Sequence, residues 1–422
     1  MNRRDFLKLS SATGLCVGGS ALLGQAWADG ISGTGAPQGY AGKFLVMVQA
    51  TGGWDPTLLC DPKPGLNQTY NAPSMAGNVA YAPIGTEADL FFGDHNDKMT
   101  VINGVDVATN NHEAGRRHMA SGRLGAGYPN LAALAAGTLS PQSPMAFLTF
   151  GGYDRTQGVV APVRDGNNAR VQEMAYPDRI NPGDELSATY HSETAKSIID
   201  NARQERTQSL LGSQELPRYQ QSIDTLLTAR AGAGELKLLQ DVLPEPDGNG
   251  DFRKCQLLMA AYKAGIGVAA NMSMGGFDTH DNHDGNHIPR MNNLLAVVNF
   301  LWAEAARQGV EEQLVVLVTS DFGRTPNYNG DNGKDHWSVS SMIAMGNGIP
   351  GNRVVGRTTD GHEIENVDPT TLTDPLTEEE GGVRIGPKHV HRVVRDLLDI
   401  SDGDPSALFP LGTEDDHLPI FG

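Results

Sequence analysis

The sequence is organised around short apolar runs, each followed by a polar loop and then by a helical pattern. The first run, residues 44–50, is apolar at nearly every position and ends in Thr51-Gly52-Gly53. Similar runs lie at 99–103, 145–150, 268–272, 314–319 and 342–345, with helical patterns at 252–264, 289–308 and 387–398. Strands with consecutive rather than alternating apolar residues are typical of sheets covered on both faces. The pattern therefore predicts an α/β fold with a doubly wound, mainly parallel sheet and helices on both faces.

The first 28 residues are interpreted as an export signal rather than as part of the fold. The pair Arg3-Arg4, followed by Phe, Leu and Lys, resembles the twin-arginine export motif, and a weakly apolar stretch comes behind it. Ala26 and Ala28 are small residues at the positions that a signal peptidase reads, so we expect cleavage after about Ala28. The expected partner is the twin-arginine export machinery, and the expected location is periplasmic or secreted.

Behind the signal, residues 29–42 are Gly-rich and predict a flexible lead-in, and residues 43–422 predict one α/β domain. A helical insertion is expected at about 183–250, where Leu and Ile recur at helical spacing among Gln, Arg, Glu and Ser. This insertion is interpreted either as an active-site lid or as a solvated helical hairpin without a functional role. No later segment approaches the ~20 apolar residues of a membrane span, so no stable span is expected.

Removing the signal changes both the charge and the cysteine content of the chain. The 422 residues carry a formal net charge of −18, and the signal takes away three positive charges against one negative charge, which leaves −20. Such an acidic chain lacks the basic face that nucleic acids require, so nucleic acid is excluded as a partner. Cys16 leaves with the signal, and the sequence leaves open whether Cys60 and Cys255 form a disulfide.

Acidic residues and histidines follow three of the predicted strands. They are Asp55 after the first run, Asp278 and His280 after the run at 268–272, Asp321 after the run at 314–319, and His336 shortly beyond. In open α/β sheets ligands bind beyond the carboxyl ends of the strands, so we expect these side chains to lie together. Crowded carboxylates repel one another unless a cation neutralises them. Mixed carboxylate and imidazole ligands favour zinc or manganese, with iron or calcium as alternatives, and one or two ions are expected.

Each of these residues also has a purely structural interpretation. Asp55 before Pro56 is compatible with a turn residue, and Asp321 is compatible with a helix cap. The histidines at 280, 283 and 287 are compatible with a solvated loop. We favour the metal site because acidic residues follow three separate strands of one topology.

The chain also resembles a known family. The Arg-Arg signal and the segments at 52–55, 276–280 and 319–326 are similar, in this order, to those of the DUF1501 family of exported proteins. That family belongs to the alkaline phosphatase and sulfatase superfamily. The resemblance spans nearly the whole mature chain, and residues 277–280 and 319–326 are its most specific parts.

The resemblance implies an alkaline-phosphatase-like fold with two metal positions. Asp55 and Asp321 would bind one ion. The other ion would be bound by Asp278, His280 and His336, with His283 as an alternative to His280. The implied activity is that of a metal-dependent hydrolase or transferase that acts on a phosphate or sulfate ester, either a small molecule or a polymer.

The chain departs from the superfamily pattern at two positions. Phe322 stands where characterised phosphatases have a histidine, so the first metal position loses a ligand. His112 stands where a similar segment of cofactor-independent phosphoglycerate mutases has its nucleophilic serine. His112 is interpreted as a nucleophile, as a general acid or base, or as a ligand of the weakened position, with Thr109 and Ser121 as fallback hydroxyls.

Two functional hypotheses follow. In the first, an exported metal-dependent enzyme uses His112 as a catalytic group and Arg324 as a contact for the substrate anion. In the second, a non-catalytic, metal-stabilised binding protein of the cell envelope carries a degenerate site. Phe322 and the missing hydroxyl nucleophile favour the second hypothesis, whereas the retained Asp and His residues favour chemistry or at least a metal.

Overall fold

An eight-stranded sheet runs through the computed structural model, which describes residues 39–413 and 417–422 apart from 165–171, 174, 214–215, 221, 224–225 and 227–234. Its strands are β1 (Phe44–Thr51), β4 (Met99–Asp106), β5 (Met145–Phe150), β6 (Pro162–Val163), β7 (Gly267–Gly275), β8 (Leu314–Ser320), β11 (Val339–Gly346) and β12 (Arg353–Val355). Two short ladders pair β2 (Ser74–Ala76) with β3 (Val79–Tyr81) and β9 (Gly323–Arg324) with β10 (His336–Trp337). The signal predicted at 1–28 and most of the lead-in lie outside the described residues.

The strand order across the sheet is β12-β4-β11-β8-β1-β7-β5-β6. β1 pairs in parallel with β7 and β8, and β5 and β12 also pair in parallel with their neighbours. β11 runs antiparallel to both β4 and β8. The predicted mainly parallel sheet is therefore confirmed. Because β11 begins at the edge where β4 and β8 end, the segment just before it, which includes His336, returns to that edge.

Helices cover both faces of the sheet. They include α1 (Thr86–His95), α2 (His112–Ser121), α3 (Leu131–Leu139), α4 (Glu193–Ser213), α5 (Lys237–Val242), α6 (Gly250–Lys263), α7 (His283–Gln308), α8 (Pro387–Leu397) and α9 (Asp404–Leu408). Alternate side chains of β1 enter two different cores. Val46 and Val48 pack with α6 and α7 on one face, whereas Leu45 and Met47 pack with α2, α3 and α8 on the other. Burial on both faces explains the consecutive apolar residues of the strands.

The segment predicted as a helical insertion contains α4 and α5 among its described residues. Thr207 is the buried residue of α4, and the other side chains of this helix are exposed or half-buried. None of the helices in the described ranges is long and apolar enough to cross a membrane.

The two cysteines of the domain are separate, free thiols. Cys60 and Cys255 are both buried and form no disulfide. Sγ of Cys60 lies 3.8 Å from Oδ1 of Asn103, and Sγ of Cys255 lies 3.8 Å from the carbonyl oxygen of Val297. Burial raises the pKa of both thiols well above its ordinary value. Both cysteines therefore act as small packing residues rather than as reactive thiolates.

Candidate metal centre

Four loops meet at the edge of the sheet where the parallel strands end. One follows β1, one follows β7, one joins β8 to the β9–β10 ladder, and one precedes α2. The ladder pairs Arg324 with His336, so the histidine that comes before β11 lies beside the residues that follow β8. The candidate site residues that these loops and the ladder supply are Asp278, His280, Asp321, Arg324, His336 and, at the first residue of α2, His112.

Two glycines after β1 allow these loops to touch. Gly52 and Gly53 have φ angles of +121° and +85°, which favour glycine. A Cβ on Gly52 would lie 2.5 Å from the backbone nitrogen of Asp278, and a Cβ on Gly53 would lie 2.7 Å from the Phe322 ring. The Gly-Gly pair therefore brings the end of β1 directly against the loops that carry Asp278 and Asp321.

The carboxylate of Asp278 lies at the centre of a group of imidazoles. Its Oδ1 is 2.9 Å from Nε2 of His280 and 3.1 Å from Nε2 of His336. Its Oδ2 is 3.2 Å from Nε2 of His112. The Nε2 atoms of His280 and His336 are themselves 3.0 Å apart. Three imidazole nitrogens thus converge on one carboxylate, and we call these four residues the Asp278 cluster.

In each of these histidines the other ring nitrogen faces an acceptor. The acceptors are Asp321 Oδ2 for His112 at 2.9 Å, the Asn110 carbonyl for His336 at 2.9 Å, and Asp335 Oδ1 for His280 at 2.8 Å. A carbonyl or carboxylate accepts only from an N–H, so each neutral imidazole carries its proton on Nδ1 and its lone pair on Nε2. When the rings are neutral, the three Nε2 lone pairs point toward the carboxylate of Asp278, whereas a protonated His336 donates from Nε2 to Oδ1 of Asp278, 3.1 Å away.

The ligand atoms of His112, Asp278 and His336 form a donor set that fits a divalent cation. Possible ligand atoms of His112, Asp278 and His336 lie within 4.8 Å of one another, and Nε2 of His112 is buried without a hydrogen bond. Two ligands of a tetrahedral zinc ion are about 3.3 Å apart, since each lies about 2.0–2.1 Å from the metal. The separations of 2.9–3.2 Å in the Asp278 cluster are close to this value. Metal-bound histidines typically donate their second N–H to a carboxylate or carbonyl, as these three do.

Asp321 lies behind His112 rather than among the converging ligand atoms. It is fully buried, and its Oδ2 accepts from the backbone N–H of Gly52 at 3.0 Å as well as from His112. The hydrogen bond to Asp321 raises the pKa of His112, and the charge of Asp278 acts in the same direction against the effect of burial. Asp321, which was predicted as a metal ligand, accepts from His112 through Oδ2, and its Oδ1 is buried without a hydrogen bond.

Arg324 is also placed differently from its predicted role. The side chain is fully buried, and its Nη2 donates to Oδ1 of Asp278 at 2.7 Å. Its remaining hydrogen bonds go to the carbonyl oxygens of Gly52, Gly53 and Lys334. Burial raises the pKa of Asp278, but hydrogen bonds from Arg324 and His336 outweigh this effect and hold the pKa below its usual value. Arg324 therefore fixes the central carboxylate and is not open to a substrate anion.

Asp55 lies in a separate buried cluster. Its Oδ2 is 2.8 Å from Nζ of Lys334 and 3.1 Å from Nε2 of His283, and all three side chains are fully buried. Asp55 is therefore not part of the Asp278 cluster; the resemblance had implied that it binds the other ion, together with Asp321. It also places His283, the predicted alternative to His280, beside Asp55.

Phe322 forms an apolar wall of the site. Its ring centroid is 4.7 Å from that of His112 and 4.6 Å from that of His336. Of the fallback hydroxyls, Ser121 is buried and donates to the carbonyl of Arg117, and Thr109 accepts from a backbone N–H. Neither hydroxyl has a hydrogen bond to the Asp278 cluster among the described contacts.

A polar cleft of about 450 Å³ opens beside Asp278. Helix α7 lines it with Asn286, Arg290 and Asn293, which lie on one face of the helix at spacings of four and three residues. The Arg290 side chain crosses Gly276, where a Cβ would lie 2.8 Å from its Nε. Arg290 is exposed, and it has no ion pair or side-chain hydrogen bond within the described part of the chain.

Solved structures with a similar fold include three enzymes. The lipoteichoic acid synthase LtaP from Listeria monocytogenes is 10% identical, with 86% of this chain and 73% of that chain covered and a TM-score of 0.38. The PsFucS1 sulfatase from Pseudoalteromonas sp. is 12% identical, with 76% and 66% covered and a TM-score of 0.34. The alkaline phosphatase from the Antarctic bacterium TAB5 is 11% identical, with 73% and 92% covered and a TM-score of 0.29. Likenesses at this level say nothing about chemistry.

Two sequence comparisons complete these findings. Comparison with curated proteins finds no match. A family model described as "Protein of unknown function (DUF1501)" matches residues 42–376, which is most of the chain. The chain therefore belongs to the DUF1501 family.

Proposed function

We propose that the Asp278 cluster binds a divalent metal ion and that the protein hydrolyses a phosphate or sulfate ester there. The observation that carries this proposal is the convergence of three Nε2 atoms on one carboxylate, while Nδ1 of each imidazole faces a carbonyl or carboxylate oxygen. A bound divalent ion would supply Lewis-acid polarisation of an ester oxygen and would lower the pKa of a water molecule. Zinc or manganese suits these ligands best.

The residues around the cluster would act by holding the ligands and the substrate. Asp321 fixes the orientation of His112, and Arg324 fixes Asp278. The Phe322 ring keeps water away from one side of His112 and His336. The substrate would enter through the polar cleft on α7, whose amide side chains suit a hydroxyl-rich ester better than an apolar one.

Arg290 is our candidate contact for an anionic group of the substrate, in place of Arg324. Arg290→Ala is expected to raise KM about 10- to 100-fold with little change in kcat, because a hydrogen bond to a charged group contributes about 1.5–3 kcal/mol. The measurement is steady-state hydrolysis of a chromogenic ester. The matched control is Arg203→Ala, at an exposed arginine of α4 that pairs with Asp200. Unchanged kinetics in Arg290→Ala would exclude this role.

The activity itself is tested with the wild-type chain. The mature protein is stripped with a chelator, reloaded separately with zinc, manganese, iron or calcium, and assayed on chromogenic phosphate monoesters, phosphate diesters and sulfate esters. Turnover with at least one ester is expected after reloading, and turnover at background level is expected in the stripped protein. Absence of turnover with every metal and every ester would contradict the proposed activity.

One observation favours a second candidate function, a metal-stabilised binding protein of the cell envelope. Among the described contacts, no serine, threonine or cysteine side chain is hydrogen-bonded to the Asp278 cluster, and Arg324 is fully engaged inside the protein. In that case metal removal would lower the melting temperature of the protein, and no ester would be turned over.

Export by the twin-arginine pathway, with cleavage after about Ala28, is part of the proposal. It is supported by the Arg3-Arg4 pair and by the small residues at 26 and 28. Replacement of Arg3 and Arg4 by lysine should leave the unprocessed chain in the cytoplasm. A processed chain in the periplasm of the variant would contradict this route.

A further inference from the structure

We infer that the ammonium group of Lys334 takes the place of a cation beside Asp55, so that the protein binds one metal ion at the Asp278 cluster and none between Asp55 and Asp321. The resemblance to the superfamily had implied an ion between Asp55 and Asp321. This inference depends on the proposed function for the ion at Asp278 only. The absence of an ion at Asp55 follows from the contacts of Asp55, Lys334 and Asp321 themselves.

Lys334 is enclosed by oxygen atoms in the way that a bound cation is. Its Nζ lies 2.8 Å from Oδ2 of Asp55, 3.0 Å from Oδ1 of Asn67 and 3.3 Å from Oγ1 of Thr57. The side chain is fully buried, and Nζ lies 5.0 Å from the centroid of the Tyr328 ring. Carboxylate, amide and hydroxyl oxygens are ligands that hard divalent cations take. The fixed ammonium fills this position and cannot exchange with solvent ions.

Asp55 has no acceptor position left for a metal. Its Oδ1 accepts from the backbone N–H and from the hydroxyl of Thr57, at 2.9 and 2.6 Å. Its Oδ2 accepts from Lys334 and from His283, at 2.8 and 3.1 Å. A carboxylate offers about four lone-pair sites, and all four are used here.

The proton on His283 follows from a chain of hydrogen bonds. The backbone N–H of Asp55 donates to Nε2 of His287 at 2.9 Å, so a neutral His287 carries its proton on Nδ1 and donates to Thr279 at 3.0 Å. The Thr279 hydroxyl reaches two acceptors, Nδ1 of His283 at 2.7 Å and the carbonyl oxygen of Phe277 at 3.4 Å, and it donates to the nearer one, Nδ1 of His283. His283 must therefore carry its proton on Nε2, where it donates to Asp55. A nitrogen that holds a proton offers no lone pair to a metal.

Asp321 has one oxygen without a hydrogen bond, the buried Oδ1, and the cation nearest to it is a guanidinium of this chain. Its Oδ2 is occupied by the N–H of Gly52 and by His112. Its Oδ1 faces the guanidinium of Arg116, with 3.7 Å between Oδ1 and Nε. An ion between Asp55 and Asp321 would have to displace a buried ammonium and approach a guanidinium, which like-charge repulsion opposes.

The experiment counts bound metal per chain. Mature wild type, Lys334→Ala and Lys334→Met are stripped with a chelator, equilibrated with excess manganese, desalted and analysed by elemental mass spectrometry. Lys334→Ala is expected to hold one equivalent more than wild type, because the shortened side chain leaves three oxygen ligands around an open position. Lys334→Met is the matched control, and no gain is expected because its side chain still fills the space.

Three outcomes decide the inference. A gain of one equivalent in Lys334→Ala supports it even if wild type holds no metal, in which case only the proposed function fails. No gain in folded Lys334→Ala overturns it. If Lys334→Ala does not fold, wild type is compared with Asp55→Asn. A second equivalent in wild type that Asp55→Asn loses overturns the inference, and a single equivalent that Asp55→Asn keeps supports it.

Discussion

Asp278→Asn is expected to lower the affinity of the protein for zinc or manganese by at least about 100-fold and to reduce ester hydrolysis to background. Substitution of an outer partner of a metal ligand already costs about 10- to 100-fold, and Asp278 contacts all three imidazoles of the cluster directly. Asparagine preserves the size of the side chain but removes the charge that offsets that of the cation. The measurement is competition for the metal with a chromogenic chelator, together with the ester assay.

The matched control is Asp331→Asn, in the loop that leads to His336. Asp331 is exposed, and its described hydrogen bonds involve only its backbone: the carbonyl accepts from Asn282, and the N–H donates to Asn329. Wild-type affinity and activity are expected in this control. If Asp278→Asn retains metal as well as the control does, the Asp278 cluster is not a metal site.

Lys334→Met is expected to lower the free energy of unfolding of the metal-free protein by about 3–5 kcal/mol, the usual cost of removing one partner of a buried ion pair. The substitution leaves the carboxylate of Asp55 fully buried without its cation. Burial raises the pKa of Asp55, and the charge of Lys334 is the main opposing effect, which together with the hydrogen bond from His283 holds that pKa well below its usual value. The measurement is urea unfolding followed by tryptophan fluorescence.

The double variant Asp55→Asn with Lys334→Met separates charge from packing. It removes both charges, so it is expected to be more stable than Lys334→Met alone. The exposed Lys263→Met at the end of α6 is the control, and a change within about 0.5 kcal/mol is expected there. A double variant that is less stable than Lys334→Met would mean that the unpaired charge of Asp55 is not what destabilises Lys334→Met.

The fold could be predicted closely because the apolar runs are both short and continuous. The run predicted at 145–150 matches β5, and the others are extended by one to three residues at one or both ends. The direction of β11 could not be predicted, because apolar periodicity carries no information about strand direction. That direction matters for the site, since it brings His336 back to the edge where Asp278 lies.

The residues of the site could be predicted better than their roles. The order of motifs singled out Asp278, His280 and His336, which the structure brings together, and His112 was a candidate ligand among other roles. Asp55 pairs with the side chain of Lys334, which no strand-end argument could have found, and Arg324 donates to the backbone carbonyl of the same residue. Lys334 lies two residues before His336 in Gly333-Lys334-Asp335-His336, and this adjacency was the available signal.

Two further contacts of the site were missed. The Asp335 carboxylate is hydrogen-bonded to Nδ1 of His280, and the backbone carbonyl of Asn110 is hydrogen-bonded to Nδ1 of His336. Every residue type has a backbone carbonyl, so the residue type at position 110 gives no sign of the second contact. The first had a signal, because an acidic residue stands beside a histidine that had been selected as a ligand.

The most direct test of the metal centre is a crystal structure of the mature protein grown with zinc or manganese, with anomalous difference maps recorded on both sides of the absorption edge of the metal. We expect one anomalous peak among Nε2 of His112, His280 and His336 and the carboxylate of Asp278, and none beside Asp55. An ordered Asp278 cluster without a peak, or a peak at Asp55 alone, would contradict the account.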